Sequence, residues 1–313
     1  MSGNMTSNES TVAVEFIDCR NYVPPFRLYY KAYMLPLSIS LAVACLIWLW
    51  VTFVFVQVIR LIRKHTEKNQ VMALIIANTV YFVLVTFNVL ALLLPSVAVI
   101  CDIVPFVVFC WCILVFFRYL KLEVGGDTVI MGLYETKDII PPTVCPCFRF
   151  IYNKKRQLTA IRFGIMQLPV WCSVVSSIQL VIFTFNKDLF FDMFYIILPF
   201  IILSIVLYVG ASASFIKTVS PLYPSNPIFK RFFLLQLVLI ITKPQVIILE
   251  IIYNSIPFEC SEAGEPKVYM NMAKQLIILV EIAIVTVYSY KFYATEQPTP
   301  EEKVGTKNPA FEM

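Results

Sequence analysis

Residues 35–59 read LPLSISLAVACLIWLWVTFVFVQVI, an apolar stretch of 25 residues without a single charge. An α-helix rises about 1.5 Å per residue. A helix of this length therefore crosses the hydrocarbon core of a bilayer, which is about 30 Å thick. The stretch predicts a transmembrane helix, and this decides the class of fold for the whole chain.

The composition of the chain agrees with a membrane protein. Of the 313 residues, 59% are hydrophobic and 14% are charged, whereas soluble domains hold about 45–50% apolar and about 25% charged residues. This balance excludes an ordinary soluble globule and a disordered chain. The net charge of +5 does not indicate a nucleic-acid partner, because membrane topology accounts for where the basic residues fall.

Further apolar segments of spanning length follow along the chain. Residues 71–101 carry no charge but are too long for one span, and Leu94-Pro95-Ser96 can interrupt them. We predict an all-α polytopic membrane protein with seven transmembrane helices in a domain covering residues 34–291, between an extracellular N-terminal segment (1–33) and a disordered cytosolic tail (292–313). The predicted spans are about 35–59, 71–93, 97–117, 163–185, 193–216, 232–254 and 268–291.

The distribution of Lys and Arg predicts the orientation of the spans. Eighteen of the 25 basic residues fall on the side of the first, third and fifth loops and the C-terminus, and five fall on the other side. Cytosolic loops carry an excess of basic residues, so the N-terminus is expected outside and the C-terminus in the cytosol. Two sequons, at Asn4 and Asn8, lie on the predicted outer side and indicate glycosylation.

Four charges lie inside the last two predicted spans. Lys243 and Glu250 are seven residues apart in the sixth span, and Lys274 and Glu281 repeat this spacing in the seventh. Seven residues are two helical turns, so each pair shares one helix face. Because the two helices run in opposite directions, we expect Lys243 to approach Glu281 and Glu250 to approach Lys274. These charges either line a polar cavity in which a cation receives an anionic substrate, or form ion pairs that only fix packing.

Two glutamines also lie inside predicted spans. Gln167 is in the fourth span and Gln236 is in the sixth. Each amide can hydrogen-bond a neighbouring helix, which is the packing interpretation, or orient a polar group of a solute.

The cysteines and the single histidine limit the chemistry. Cys145 and Cys147 lie beside a basic run in the third loop, a setting that suits S-acylation, with free thiols as the alternative. Two further ligands at zinc spacing are missing nearby, so no metal or other cofactor is expected. One disulfide among Cys19, Cys101 and Cys260 is compatible with an oxidising exterior.

Rival functional classes lack their usual residues. A seven-helix receptor would explain Phe117-Arg118-Tyr119 at the end of the third span, but the acid that precedes Arg in rhodopsin-like receptors is missing. An enzyme needs a nucleophile with a base or an acidic pair at metal spacing, and neither pattern is present, so the chain is not expected to be an enzyme. An orphan seven-helix receptor or sensor remains the alternative to a carrier.

An ordered set of short motifs resembles the organic solute transporter α-subunit family. The motifs span roughly residues 35–290, and their order and spacing carry the resemblance: Leu122-Glu123-Val124-Gly125-Gly126, Cys145-Pro146-Cys147, Lys154-Lys155-Arg156-Gln157-Leu158, Gln167-Leu168-Pro169, Phe229-Lys230-Arg231-Phe232 and Thr242-Lys243-Pro244-Gln245.

The resemblance implies a function and a partner. It implies a multi-pass α subunit of the plasma membrane that works with a single-span β subunit. It also implies facilitative transport of amphipathic organic anions such as bile acids and conjugated steroids. Within that expectation, Lys243 and Lys274 attract the anion, with Glu281 and Glu250 as resting partners. Basic loop residues on the cytosolic side bind anionic membrane lipids, at about 1 kcal/mol each.

Overall fold

A computed structural model describes residues 26–66, 68–136, 154–220, 228–255 and 265–295. Within these ranges the structure is helical and contains no strand. The helices are α1 (Phe26–Ala32), α2 (Met34–His65), α3 (Lys68–Leu93), α4 (Ala98–Glu123), α5 (Gly126–Thr136), α6 (Lys154–Phe185), α7 (Lys187–Val219), α8 (Ile228–Ser255) and α9 (Glu265–Thr295).

Seven of these helices are long and apolar enough to cross a membrane, which confirms the predicted number of spans. Their spanning segments are Met34–His65, Gln70–Leu93, Pro95–Glu123, Leu158–Phe185, Ile196–Val219, Phe229–Leu249 and Val268–Ala294. The two remaining helices, α1 and α5, are short, with 7 and 11 residues. The sequence did not predict either of them.

Two hairpins between spans are very tight. Leu94 leaves helical geometry after α3, and a 3₁₀ turn at Pro95–Val97 leads into α4, as the predicted interruption required. Between α6 and α7 only Asn186 is non-helical. Its backbone is extended, and its side chain accepts a hydrogen bond from the Leu189 backbone N–H at 3.1 Å. This is a helix N-cap, which satisfies one of the backbone donors that a helix start leaves free.

Helix α4 lies at the centre of the bundle. It packs against α3, α6 and α8, while α3 packs against α2, α4 and α9. Half of the residues in the most apolar stretch of α4 are buried, compared with 22% of those in the corresponding stretch of α2. The core therefore surrounds α4, and much of α2 faces outward, which is the arrangement expected when lipid covers the outer helices.

The contacts define two ends of the bundle. At one end, α1 and the start of α9 lie beside the start of α2, the end of α3 and the start of α4. We call this the capped end. The other end carries Arg60, Arg63, Lys64, Lys121, Arg162, Lys217, Lys230, Arg231 and Lys291, and we call it the basic end. The orientation prediction places the capped end outside the cell.

Helix α1 is fastened to the capped end by tyrosines. The Tyr29 hydroxyl donates to the Leu92 carbonyl and the Tyr30 hydroxyl donates to the Leu93 carbonyl, each at 3.0 Å. Burial raises the pKa of Tyr29 to about 12, so this hydroxyl stays protonated and keeps donating. These two bonds satisfy carbonyls at the C-terminal end of α3, for which the helix itself offers no N–H donor.

A glycine turn separates α4 from α5 at the basic end. Gly125 and Gly126 have φ of +98° and +80°, a region that L side chains rarely adopt. The turn brings Asp127 to Lys121 of α4 and to Arg162 of α6. The hydrogen bond from Lys121, helped by the Arg162 charge, lowers the pKa of Asp127. Helix α5 is thereby attached to two spans at once.

Candidate functional site

An ion pair between a buried Lys and a partly exposed Asp joins the third and seventh spans near the capped end. The Lys274 Nζ of α9 lies 2.8 Å from the Asp102 Oδ2 of α4. The Gln275 Nε2, next along α9, faces the other Asp102 oxygen at 3.5 Å. Two donors of one helix therefore address a single carboxylate of another helix.

The position of Lys274 follows from the helical repeat of α9. Ile278, Ile282 and Val285 are buried and continue the same helix face at intervals of three or four residues. Lys274 lies on this face, one turn before Ile278, so its side chain points into the bundle and not into lipid. Its side chain is 6% exposed, while that of Asp102 is 42% exposed.

This partner differs from the one that charge spacing predicted. The prediction paired Lys274 with Glu250 across the contact of the sixth and seventh spans, whereas the structure pairs it with Asp102 of the third span. The Glu250 side chain lies outside the described residues, so a Glu250–Lys274 contact stays a prediction. Asp102 could have been predicted as the partner because it lies at about the same depth in the membrane as Lys274. It follows the start of α4 by four residues, and Lys274 lies six residues inside the seventh span.

Glu281 lies deeper in the seventh span, two turns after Lys274. Gln245 of α8 lies beside its carboxylate. The buried Glu281 Oε2 and Gln245 Oε1 have no hydrogen-bond partner among the described residues. The Lys243 side chain, the predicted partner of Glu281, lies outside the described residues, although its backbone belongs to α8. The Lys243–Glu281 pair therefore stays a prediction as well.

The two intramembrane glutamines both connect neighbouring spans. The Gln167 amide donates to the Ser204 carbonyl and accepts from the Ser204 hydroxyl, each at 2.9 Å, which joins α6 to α7. The Gln236 Nε2 donates to the Ser212 hydroxyl at 2.7 Å, which joins α8 to α7. These are the contacts that the packing interpretation predicts.

A second polar cluster, near the basic end, was not predicted. Asn78 of α3 donates to the Tyr293 hydroxyl at 2.9 Å and accepts from the Ser289 hydroxyl at 3.1 Å. Tyr81 lies beside Ser289. All four side chains are buried and neutral when Tyr is protonated. The sequence signal was the presence of Asn78 and Ser289 inside otherwise apolar spans.

Arg231 closes this neutral cluster on the side of α8. Its guanidinium lies over the Tyr293 ring, 4.1 Å from the centroid, and its Nη2 donates to the Phe292 carbonyl at 3.2 Å. Stacking on a ring and bonding the last carbonyls of a helix are both favourable for Arg. The start of the sixth span is thus attached to the end of the seventh.

Several predicted modification sites lie outside the described residues. They are the glycosylation sites Asn4 and Asn8 and the acylation sites Cys145 and Cys147. Cys101 is a buried free thiol, so a disulfide among the outer cysteines would have to join Cys19 and Cys260, which are also outside those residues. Across the part of the chain that the structure describes, no three His, Cys, Asp or Glu side chains come together as metal ligands.

The capped end places a buried ammonium beside a partly exposed carboxylate. A buried ammonium needs a negative partner, because an unpaired charge in a low-dielectric interior is costly. The partner here is a carboxylate that is 42% exposed near the end of its span. This pair of a buried cation and a partly exposed anion is the only intramembrane ion pair with both partners among the described residues.

Comparison with known proteins gives a consistent family. The family model described as organic solute transporter Ostalpha matches residues 36–298, a range that contains nearly the whole of all seven spans. An "organic solute transporter alpha-like protein" of Drosophila melanogaster is 23% identical over 279 residues, which cover 87% of this chain and 84% of the fly protein. No solved structure matches the chain.

Proposed function

The chain belongs to the organic solute transporter α family, and we propose that it carries amphipathic organic anions across the plasma membrane by facilitated diffusion. Membership makes it a membrane solute transporter subunit, and the family is not one of enzymes. The proposal adds a substrate class, bile acids, conjugated steroids or similar lipophilic anions, and a direction set only by the electrochemical gradient.

The buried Lys274 supports this proposal most strongly. A charge inside a transmembrane helix is expensive and is kept mainly where it serves binding or transport. Lys274 faces the interior of the bundle, and its partner Asp102 is half-exposed. An ammonium in that position suits the carboxylate or sulfate of an amphipathic anion, and the apolar spans around it suit a steroid body.

The other intramembrane polar residues have proposed supporting roles. Lys243 is a second cation for the anion, with Glu281 as its resting partner. Glu250 is a further polar residue in the contact between α8 and α9. Gln236 and Gln167 orient polar substituents of the substrate in addition to joining spans. Gln245, which lies beside Glu281, adds a further polar group to this contact between α8 and α9.

The cellular setting is proposed from charge and family. The capped end faces outside, with sugars on Asn4 and Asn8, and the basic end faces the cytosol, with acyl chains on Cys145 and Cys147. Lys and Arg at the basic end bind anionic lipids of the inner leaflet. A separate protein with one transmembrane span is the partner subunit.

The test is uptake of a labelled steroid sulfate by cells that express this chain, with and without candidate single-span partners. We expect saturable flux in both directions that does not depend on sodium and that requires the correct partner. Surface labelling of the chain controls for expression. Ligand-dependent activation of a G protein without any flux would contradict the carrier and favour a receptor.

A further inference from the structure

At the capped end, the structure holds one carboxylate where an anionic substrate would bind. Lys274 Nζ and Gln275 Nε2 face the two Asp102 oxygens at 2.8 and 3.5 Å. We propose that Asp102 is an internal competitor, and that the acid group of the transported anion binds by taking its place on Lys274 and Gln275. This inference rests on the proposed function and names the residue that sets its charge selectivity.

Unequal burial decides which partner moves. Lys274 is almost fully enclosed, with 6% of its side chain exposed, whereas Asp102 is 42% exposed. Asp102 lies only four residues from the start of α4, so its carboxylate can turn towards the membrane surface, where water solvates it well. Lys274 has no such alternative, and a buried charge left without a partner is strongly destabilising. Lys274 therefore keeps an anion at all times, either Asp102 or the substrate.

This exchange selects for charge. A monoanion replaces Asp102 one for one, so the net charge of the buried site does not change. A neutral solute leaves Lys274 with its resting partner and gains nothing from the cation. A cation is repelled by the same ammonium. The Asp102–Lys274 pair thus favours anions because anions bind there more tightly than neutral or cationic solutes. An opening that admitted every apolar molecule would not make this distinction.

Gln275 supplies a second preference. The Gln275 side chain is fully buried, and its Oε1 has no hydrogen-bond partner among the described residues. A buried acceptor without a donor costs about 1–3 kcal/mol, so a ligand that supplies the donor is favoured. The preferred anion carries a hydroxyl or an amide N–H close to its acid group.

The main test is the Asp102→Asn variant of the full chain, expressed with its partner subunit. Removing the competitor should lower the KM for steroid sulfate uptake by at least about threefold, because the anion no longer displaces a bound carboxylate. Uptake of a neutral steroid should not change. The matched control is Asp127→Asn, which removes an ion-paired Asp at the other end of the bundle and should leave both KM values unchanged. A KM for the sulfate within twofold of wild type in Asp102→Asn, at equal surface level, would overturn the proposal.

Asp102→Asn removes the charged partner of Lys274. If that variant does not fold, a second variant keeps the proposal testable. The exchange Asp102→Lys with Lys274→Asp preserves one ion pair but reverses its direction. We expect it to lose sulfate uptake while surface expression holds. Retained uptake with an unchanged KM would contradict the proposal.

A binding measurement separates this inference from the proposed function. Steroid sulfate should raise the thermal unfolding midpoint of purified Asp102→Asn chain more than that of the wild type. If the wild-type chain moves no organic anion but this difference is present, the carrier proposal fails and the anion site stands. If neither chain is stabilised by the sulfate, the anion site fails.

Discussion

The two polar clusters of this bundle differ in charge and in access to water. The capped-end cluster consists of Asp102, Lys274 and Gln275, with a half-exposed acid and an unpartnered buried acceptor. The basic-end cluster is built on Asn78, and its buried amide and hydroxyl groups bond one another across α3 and α9. One cluster contains a charge and a buried acceptor that a ligand could bind, and the other is built of neutral groups that already bond one another.

The two clusters are therefore expected to have different roles. The basic-end cluster stabilises the fold, and the capped-end cluster can exchange its anionic partner. A satisfied neutral network gains nothing from a ligand, and its loss is felt as lost stability. A buried charge held by a solvent-reachable partner can change that partner without being left alone. The basic end is therefore expected to behave as a fixed joint between spans, and the capped end as the place where solute and protein compete. The following variants test the basic-end half of this comparison, from the largest expected effect to the smallest.

The largest effect is expected from Gly125→Ala, at the turn that starts α5. Gly125 has φ of +98°, and an added Cβ would lie 2.9 Å from the Val129 Cγ2. Strained backbone costs about 1–3 kcal/mol, and the overlap adds to it, so we expect a loss of about 2–3 kcal/mol. The measurement is the thermal unfolding midpoint in detergent.

Gly126→Ala is the matched control for that variant. Gly126 has φ of +80° but no atom within 4 Å of an added Cβ, so only the backbone term of about 1–2 kcal/mol remains. Equal losses in the two variants would show that the contact with Val129 is irrelevant and that the turn tolerates a side chain there.

Asn78→Ala should have an intermediate effect. It removes the bonds to Tyr293 and Ser289 and leaves both hydroxyls buried. Interhelical hydrogen bonds in membranes contribute about 0.6 kcal/mol on average and up to about 1.7, so we expect a loss of about 1–2 kcal/mol in the same measurement. The KM for anion uptake should stay at its wild-type value, since this cluster is not the anion site.

Asn88→Ala is the control on the same helix. Asn88 is buried and donates a hydrogen bond to the Leu84 carbonyl one turn earlier in α3, so this bond joins no second span. Its replacement should cost about 0.5 kcal/mol or less. A change in anion KM caused by Asn78→Ala would break the proposed division between the two ends.

Apart from the control variants, the smallest effect is expected from Asp127→Asn, and this effect depends on pH. Folding lowers the pKa of Asp127, so its ion pairs stabilise the folded state above the ordinary Asp pKa of about 3.9. That contribution disappears as the pH falls through the lowered value. Because the Asp127 side chain is half-exposed, solvent screening limits it to about 1 kcal/mol or less.

The measurement for Asp127 compares thermal midpoints of wild type and variant at neutral pH, in acid and in high salt. The difference should be greatest at neutral pH and low salt and should vanish under the other two conditions. A difference that persists in strong salt would indicate that α5 is held by something other than these charges.

The sequence predicted those parts of the fold that depend on segment length and hydropathy. The span that begins near Met34 and the interruption at Leu94-Pro95-Ser96 are both confirmed, because apolar length and a proline act locally. Helices α1 and α5 were missed. Helices of 7 and 11 residues are marginal by themselves, and here they depend on contacts of Tyr29 and Asp127 with distant parts of the chain.

The candidate site was predicted in part for a similar reason. Residue counting places Lys274 at its depth in the membrane, and its burial in the bundle agrees with the expected cost of a charge in lipid. Residue counting does not show which helices are neighbours. That depends on how seven helices pack together, and the packing brings Asp102 of α4 within ion-pair distance of Lys274 of α9. The partner of Lys274 therefore required the structure.

The tight joint at Asn186 limits how this protein can rearrange. A single non-helical residue, capped by its own side chain, cannot lengthen, so α6 and α7 are expected to move as one rigid lever. The short turn after Leu94 constrains α3 and α4 in the same way. Alternating access would then require one such lever to tilt against the rest of the bundle. Helix α8 is joined to α7 and α9 by longer connections, residues 220–227 and 256–264, so it is less constrained by its connections than α6 and α7 are by theirs.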